Sequence, residues 1–295
     1  MNPCREKNTM NKGERYQQYY TRYYFLLRNI YSSRFKWTLP EEIPPRFLEE
    51  ILLDYGEAIF FKDDIAELYG VAKINEAGRM DNYNHGDMRF AYANNYVGEF
   101  TKENSVLIYD SYNQYPYNDI IIMHAEALAT MRLTRDLNLV ALRTPYICAG
   151  NRNTKLTVSN LFKQLANFIP WITVSDKFDM NSLKVLNLEV PYNASNIQAL
   201  MKQEISDFLT EIGIANNGDT KKERMITGEV ESNNGITEIN LKSALELRKR
   251  SCKQIRKVFK LSEEEVDVEP LSKIDVSGVY QEFGVTNNED GGENE

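Results

Sequence analysis

A chain of 295 residues, 42% apolar, is long enough for about two domains of ~150 residues with a buried core. With 35 Lys/Arg against 43 Asp/Glu the net charge is −8, which disfavours a surface that coats nucleic acid all over. Cys4, Cys148 and Cys252 form no C-x-x-C pair, which excludes a disulfide framework or zinc ribbon and fits a reducing compartment. No apolar run approaches the ~18–20 residues of a membrane span. The opening MNPCREKNTMNKGER carries no hydrophobic signal segment, so the chain reads as soluble, cytoplasmic where it is made, and without membrane partners.

The charge is unevenly placed. Residues 1–40 hold eight Lys/Arg and two Glu, whereas residues 262–295 hold one Lys and eleven Asp/Glu. Residues 1–15 read as a flexible basic arm with Arg5, Lys7, Lys12 and Arg15. Tyr16, Tyr19, Tyr20, Tyr23, Tyr24, Leu27, Ile30 and Tyr31 then recur every three or four residues. That stripe predicts a helix within 16–40, running to about Phe35, with an aromatic packing face rather than a base-stacking platform.

The next region, 41–116, is predicted to be α+β. A short helix, Phe47–Tyr55, is stopped by Gly56, and strands follow at Glu57–Lys62, Glu67–Ile74, Met88–Ala93 and Ser105–Asp110. Helical spacing of Ile121, Ala125, Leu128, Arg132, Arg135, Leu139 and Leu142 predicts a rod over 117–144, closed by Pro145. Residues 145–191 read as a small α/β insert, with strands at Tyr146–Ala149, Trp171–Val174 and Leu183–Val190. A helix in that insert carries Leu161, Phe162, Leu165 and Phe168.

A second rod over 192–214 carries Ile197, Leu200, Met201, Ile205, Phe208, Leu209 and Ile212, and Gly213 with Ile214 predicts a Schellman stop. The most economical arrangement is an antiparallel helix pair with the insert at its tip. Residues 215–235 read as a long polar loop. In the helix over 236–261, Leu241, Leu245, Cys252, Ile255 and Phe259 form one face. Lys242, Arg248, Lys249, Arg250, Lys253, Arg256, Lys257 and Lys260 occupy the others. Two fates for that basic helix stay open: pairing with the acidic tail, 262–295, of its own or a neighbouring subunit, or solvation. The tail itself predicts one strand at Val266–Val268.

Chemistry is sparse. His85 and His124 are the two histidines, too few for a multi-histidine metal site. In DNYNHGD, Asp81, His85 and Asp87 have metal-ligand chemistry but fit no common binding loop, and a turn between strands is the stronger reading. His124 beside Met123 reads as a packed histidine. No phosphate loop, dinucleotide fingerprint or nucleophile elbow occurs. No cofactor is implied, and a non-enzymatic role is expected.

The segment Lys221-Lys222-Glu223-Arg224-Met225, followed by Glu229-Val230-Glu231-Ser232-Asn233 just after a capped helix, resembles the channel-loop signature of phage portal proteins. The likeness is to the upper collar, or head–tail connector, of small short-tailed phages with protein-primed linear genomes. Tyr55-Gly56 with Phe61-Lys62-Asp63 is similar to a second family segment. The resemblance covers roughly Tyr16 to Phe259. It implies a mainly helical α+β portal fold: wing 41–116, stem helices 117–144 and 192–214, clip 145–191, channel loop 215–235, and wide-end helix 236–261. It further implies a ring of twelve subunits at one capsid vertex of the virion, assembled in the host cytoplasm, with duplex genomic DNA passing through.

Implied partners are like subunits, the major capsid protein, the lower collar or tail protein, a packaging ATPase on another chain and, where one exists, a packaging RNA. Lys221, Lys222 and Arg224 become DNA-channel contacts, and the arm Arg5, Lys7, Lys12 and Arg15 a contact for the motor. The second rod, with Lys202 against Glu204, Asp207 and Glu211, would supply a repulsive wall that lets DNA slide. Two other readings remain: a monomeric nucleic-acid-binding protein using the arm and basic helix, and a metal-dependent hydrolase on Asp81, His85 and Asp87.

Overall fold

The computed structural model describes residues 12–63, 65–82, 85–93, 96–143, 146–149, 184–187, 191–214 and 227–271. The chain divides into two units, one of Met1–Met131 with Ala199–Glu295 and one of Arg132–Gln198. The second unit is wider than the 145–191 insert read from the sequence.

In the first unit, helix α1 (Lys12–Ser32) buries Tyr23, Leu27, Ile30 and Tyr31, with Tyr16, Tyr19, Tyr20 and Tyr24 half-buried around them. The tyrosine stripe is therefore a packing face. It ends earlier than its periodicity suggested. After Ser33 and Arg34 the chain turns, and Phe35 and Trp37 point inward from strand β1 (Phe35–Thr38) at a period of two. Helix α2 (Pro45–Tyr55) starts on a proline that has no N–H to lose. It stops at Gly56, whose φ of +77° and N–H bond to the Leu52 carbonyl at 2.8 Å complete a left-handed cap.

Five strands follow: β2 (Glu57–Lys62), β3 (Tyr69–Met80), β4 (Gly86–Ala93), β5 (Tyr96–Thr101) and β6 (Ser105–Tyr109). Their antiparallel order is β5-β4-β3-β2-β6. Strand β2 is buried on both faces, which explains its unbroken apolar run. Ala58 and Phe60 join the core beneath α2, while Ile59 and Phe61 pack with Ala72, Ala91, Phe100 and Leu107 on the other side. Strand β5 is not apparent from the sequence because Gly98 interrupts it and Phe100 is its one buried side chain.

Helix α3 (Asn118–Arg143) and helix α4 (Ala194–Glu211) are the two rods the sequence predicted. Ile121, Ala125, Leu128 and Ala129 of α3 meet Met201, Ile205, Phe208 and Leu209 of α4, with Leu27 of α1 in the same cluster. The α4 stop is the Schellman turn expected: Gly213 has φ +81°, and the Ile214 N–H reaches the Leu209 carbonyl at 2.8 Å.

The last long helix, α5 (Thr227–Phe259), begins about nine residues before the expected boundary, so 227–235 is helix rather than loop. Gly228 and the Asn233-Asn234-Gly235 run lower helix propensity, at ~1 kcal/mol for each glycine. Extending an already packed helix needs no new nucleus, and that offsets the cost. Past α5, strand β9 (Asp267–Pro270) pairs antiparallel with β1, placing Val268 opposite Trp37.

Within the second unit, strands β7 (Tyr146–Ala149) and β8 (Lys184–Asn187) pair antiparallel, with Tyr146 opposite Asn187. Asn138 bridges two backbone groups: its amide donates to the Pro191 carbonyl at 2.9 Å and its oxygen accepts from the Asn193 N–H at 3.1 Å. The expected helix at 161–168 and strand at 171–174 lie outside the described residues.

Candidate functional site

The strongest electrostatic feature is buried. Arg248 of α5 is fully enclosed, although the sequence groups it with the basic residues off the apolar face, for which tail pairing and solvation are both open. Its Nε and Nη2 each donate to one oxygen of Glu49 at 3.0 Å. Nη2 also reaches Asp110 Oδ1 at 2.6 Å, and Nη1 the Asp110 carbonyl at 3.2 Å. The guanidinium lies 4.3 Å over the Phe35 ring. Trp37 Nε1 donates to Glu49 at 2.7 Å, and the Tyr31 hydroxyl donates to Asp110.

Arg34 pairs with Asp110 at 3.6 Å and donates to the Ile212 carbonyl at 3.0 Å. Two arginines thus face two carboxylates. Burial lowers the Arg248 pKa, but Glu49 and Asp110 outweigh it and hold the group charged. This cluster fastens the ends of α1, α4 and β6 to α2 and α5. A signal for it existed in the sequence: Leu241, Leu245, Arg248, Cys252, Ile255 and Phe259 are spaced four, three, four, three and four apart. Arg248 falls in phase with the apolar stripe.

His124 joins α3 to α4. Its Nδ1 meets Glu204 at 2.8 Å, its Nε2 meets Glu211 at 3.2 Å, and its ring packs edge-on against Phe208. Burial lowers the His124 pKa, yet the hydrogen bonds to Glu211 and Glu204 prevail and raise it. The Glu211 carboxyl is correspondingly lowered, first by its bond from His124. The packed-histidine reading stands, but the acid count on α4 changes. Two of its three carboxylates engage His124, and Asp207 accepts from Gln203 at 2.7 Å. A protonated His124 offsets one of the three negative charges, while Asp207, bonded to a neutral amide, keeps its own.

Of the expected nucleic-acid contacts, Lys221, Lys222, Arg224, Arg5 and Lys7 lie outside the described residues. Lys12 is the first residue of α1, and Arg15 is exposed one turn later. Lys249, Arg250, Lys253 and Lys257 of α5 are exposed, as is Lys260 just past its end. Arg256 pairs with Glu263 at 3.5 Å and Asp267 at 3.7 Å, so the helix does meet the start of the acidic tail.

Asp81 accepts from the His85 backbone N–H at 2.9 Å, closing the turn, but the side chains of Asp81, His85 and Asp87 pair with different groups. Asp81 pairs with Lys102 at 2.7 Å, His85 with Glu76 at 3.2 Å, and Asp87 accepts from the Arg79 N–H at 2.8 Å. Among the described residues no group of three His, Cys, Asp or Glu side chains could hold a metal ion. Nor is any described helix long and apolar enough to cross a membrane.

These features define an α+β scaffold in which a buried charge cluster holds the last long helix, α5, against α2 and the end of β6, and leaves a basic face of α5 exposed. Residues 5–274 match the family described as Phage Connector (GP10), and the chain belongs to that family. It is a portal protein, the head–tail connector of a phage. Solved structures similar to it include the portal and tail of native bacteriophage P68, at 17% identity and a TM-score of 0.43 over 95% of this chain and 98% of the other. A second is the virion of a native gene transfer agent particle, at 8% identity and 0.44 over 93% and 88%. A third is an HK97 family phage portal protein from Corynebacterium diphtheriae, at 9% identity and 0.42 over 92% and 96%.

Proposed function

We propose that twelve copies of this chain close into a ring at one capsid vertex of the virion, and that duplex genomic DNA passes through the ring during packaging and ejection. The family match over residues 5–274 is the observation that carries this reading. In it the role is structural rather than catalytic. The ATPase sits on another chain, the capsid protein and the lower collar or tail contact the outside, and assembly takes place in the host cytoplasm. Residues 41–116 form the wing, 117–144 and 192–214 the stem, 145–191 the clip, and the stretch from 215 to the start of α5 the channel loop.

A conduit has to hold a polyanion centrally without gripping it. Each phosphate neutralised by a fixed cation adds affinity through counterion release, and many such contacts would stop sliding. Lys221, Lys222 and Arg224 are few enough to touch phosphates briefly. Arg5, Lys7, Lys12 and Arg15 face the packaging motor, and its RNA where one exists. Sedimentation of the purified chain tests the reading: the species should weigh many times the 34.2 kDa of one subunit. A species of one subunit's mass at all concentrations would contradict it.

A further inference from the structure

A cleft of about 810 Å³ opens between α5 and the β4–β6 side of the sheet. Its floor is apolar, with Val106, Leu107 and Leu247 nearly fully buried. Its rim is cationic. Arg250 and Lys257 stand two helical turns apart on α5 with Gln254 between them, opposite Lys102 on the β5–β6 turn. Glu103 is the single carboxylate in the lining.

Lys102 is paired with Asp81, and Arg89 is engaged by the Ser105 carbonyl and hydroxyl at 3.0 and 3.1 Å. Arg250 and Lys257, with exposed Lys249, Lys253 and Lys260 beside them, have no ion pair among the described residues. Four cations in a row along about two turns of α5, with Lys260 just past its end, repel one another; Glu246, one turn before Arg250, offsets only part of that repulsion, and an acidic partner relieves the rest.

We propose that the acidic segment 279–295 of the same chain occupies this cleft. Residues 279–295 carry five Asp/Glu and no Lys or Arg, the inverse of the cations on α5. The segment also has the mixed character of the cleft: Val279, Tyr280 and Phe283 suit an apolar floor, while Glu282, Glu289, Asp290 and Glu293 suit a cationic rim. The chain preceding it is anchored nearby. The Leu271 N–H donates to the Arg34 carbonyl at 2.9 Å, and Arg34 shares Asp110 with Arg248, the neighbour of Leu247. From Leu271 to Glu282, about eleven extended residues reach up to ~36 Å, ample for a cleft bordering the same charge cluster. The contacts of Arg256 with Glu263 and Asp267 are the first step of the same pairing. This inference concerns one subunit and does not depend on the ring.

Zero-length carbodiimide coupling of the full chain, mapped by mass spectrometry, tests it. The reagent joins a lysine amine to a carboxylate already in contact, and Lys102–Asp81 at 2.7 Å serves as the internal control. Expected are amides from Lys253 or Lys257 to Glu282, Glu289, Asp290 or Glu293, formed within one subunit when heavy- and light-isotope chains are mixed. Detection of the control amide without tail amides, or tail amides only between subunits, would overturn the proposal. A second variant carries Gln or Asn at those four acidic positions. Its Lys257 should acetylate several-fold faster than in the parent chain. Equal acetylation in the two, with Lys257 protected only when duplex DNA is added, would assign the row to nucleic acid and overturn tail docking.

Discussion

Arg248 and Glu49, 199 residues apart in sequence, face each other through two parallel hydrogen bonds of 3.0 Å, both side chains shut off from solvent. Planar guanidinium and planar carboxylate match in this geometry, and Asp110 with Arg34 balances the remaining charge. Removing one partner strands the others where water cannot reach them. Arg248→Met should therefore cost ~3–5 kcal/mol of unfolding free energy in urea titration. Lys253→Ala, on the exposed face of the same helix, should stay within ~0.5 kcal/mol. A loss below ~1 kcal/mol for Arg248→Met would show that the cluster does not hold the elements together.

The His124 bridge makes stability depend on pH. Its folded pKa is raised, so its contribution is fully present below the unfolded value near 6.5 and is lost as pH rises through the folded value. Glu211 is lowered, so its contribution is present above the unfolded value near 4.5 and is lost as pH falls further. Tyr117 also faces Glu211 and stays neutral throughout this range, since burial raises its pKa. Melting temperature should therefore drop between pH 5.5 and pH 8.5 by more in the parent chain than in His124→Gln. Identical pH profiles would remove the bridge from the account.

Gly213 sits in a left-handed conformation against α5. A Cβ there would lie 2.5 Å from the Leu241 nitrogen and 2.8 Å from its Cα, both backbone atoms that cannot swing away. Gly213→Ala thus combines the left-handed penalty of ~1–2 kcal/mol with a displacement of α5. Denaturant unfolding should show at least that loss, whereas Gly235→Ala, with open space around it, should be neutral or stabilising.

Lys221→Ala with Lys222→Ala should leave ring assembly intact and impair late genome filling or retention. Unchanged DNA content and leakage in particles carrying the pair would count against a channel role for these lysines.

Local rules carried much of the architecture. Glycine stops at Gly56 and Gly213, the stripes of α3 and α4, and the boundaries of β2 were all readable, because each depends on spacing within a few residues. Long-range pairing was not. Arg248 reads as surface charge until Glu49 and Asp110 arrive from distant elements, and the acids of α4 read as free until His124 meets them. The 227–235 stretch misled in the opposite direction, since local propensity favours a loop while continuity with a packed helix favours extension. The family-bearing segment 221–233 was legible as a pattern, although neither spacing nor charge alone would assign it a task.

Electron microscopy of the purified full chain tests the central claim most directly. The account requires closed rings, about twelvefold in end view, with a central opening able to pass duplex DNA. Isolated globules, or filled assemblies lacking any axial opening, would contradict it.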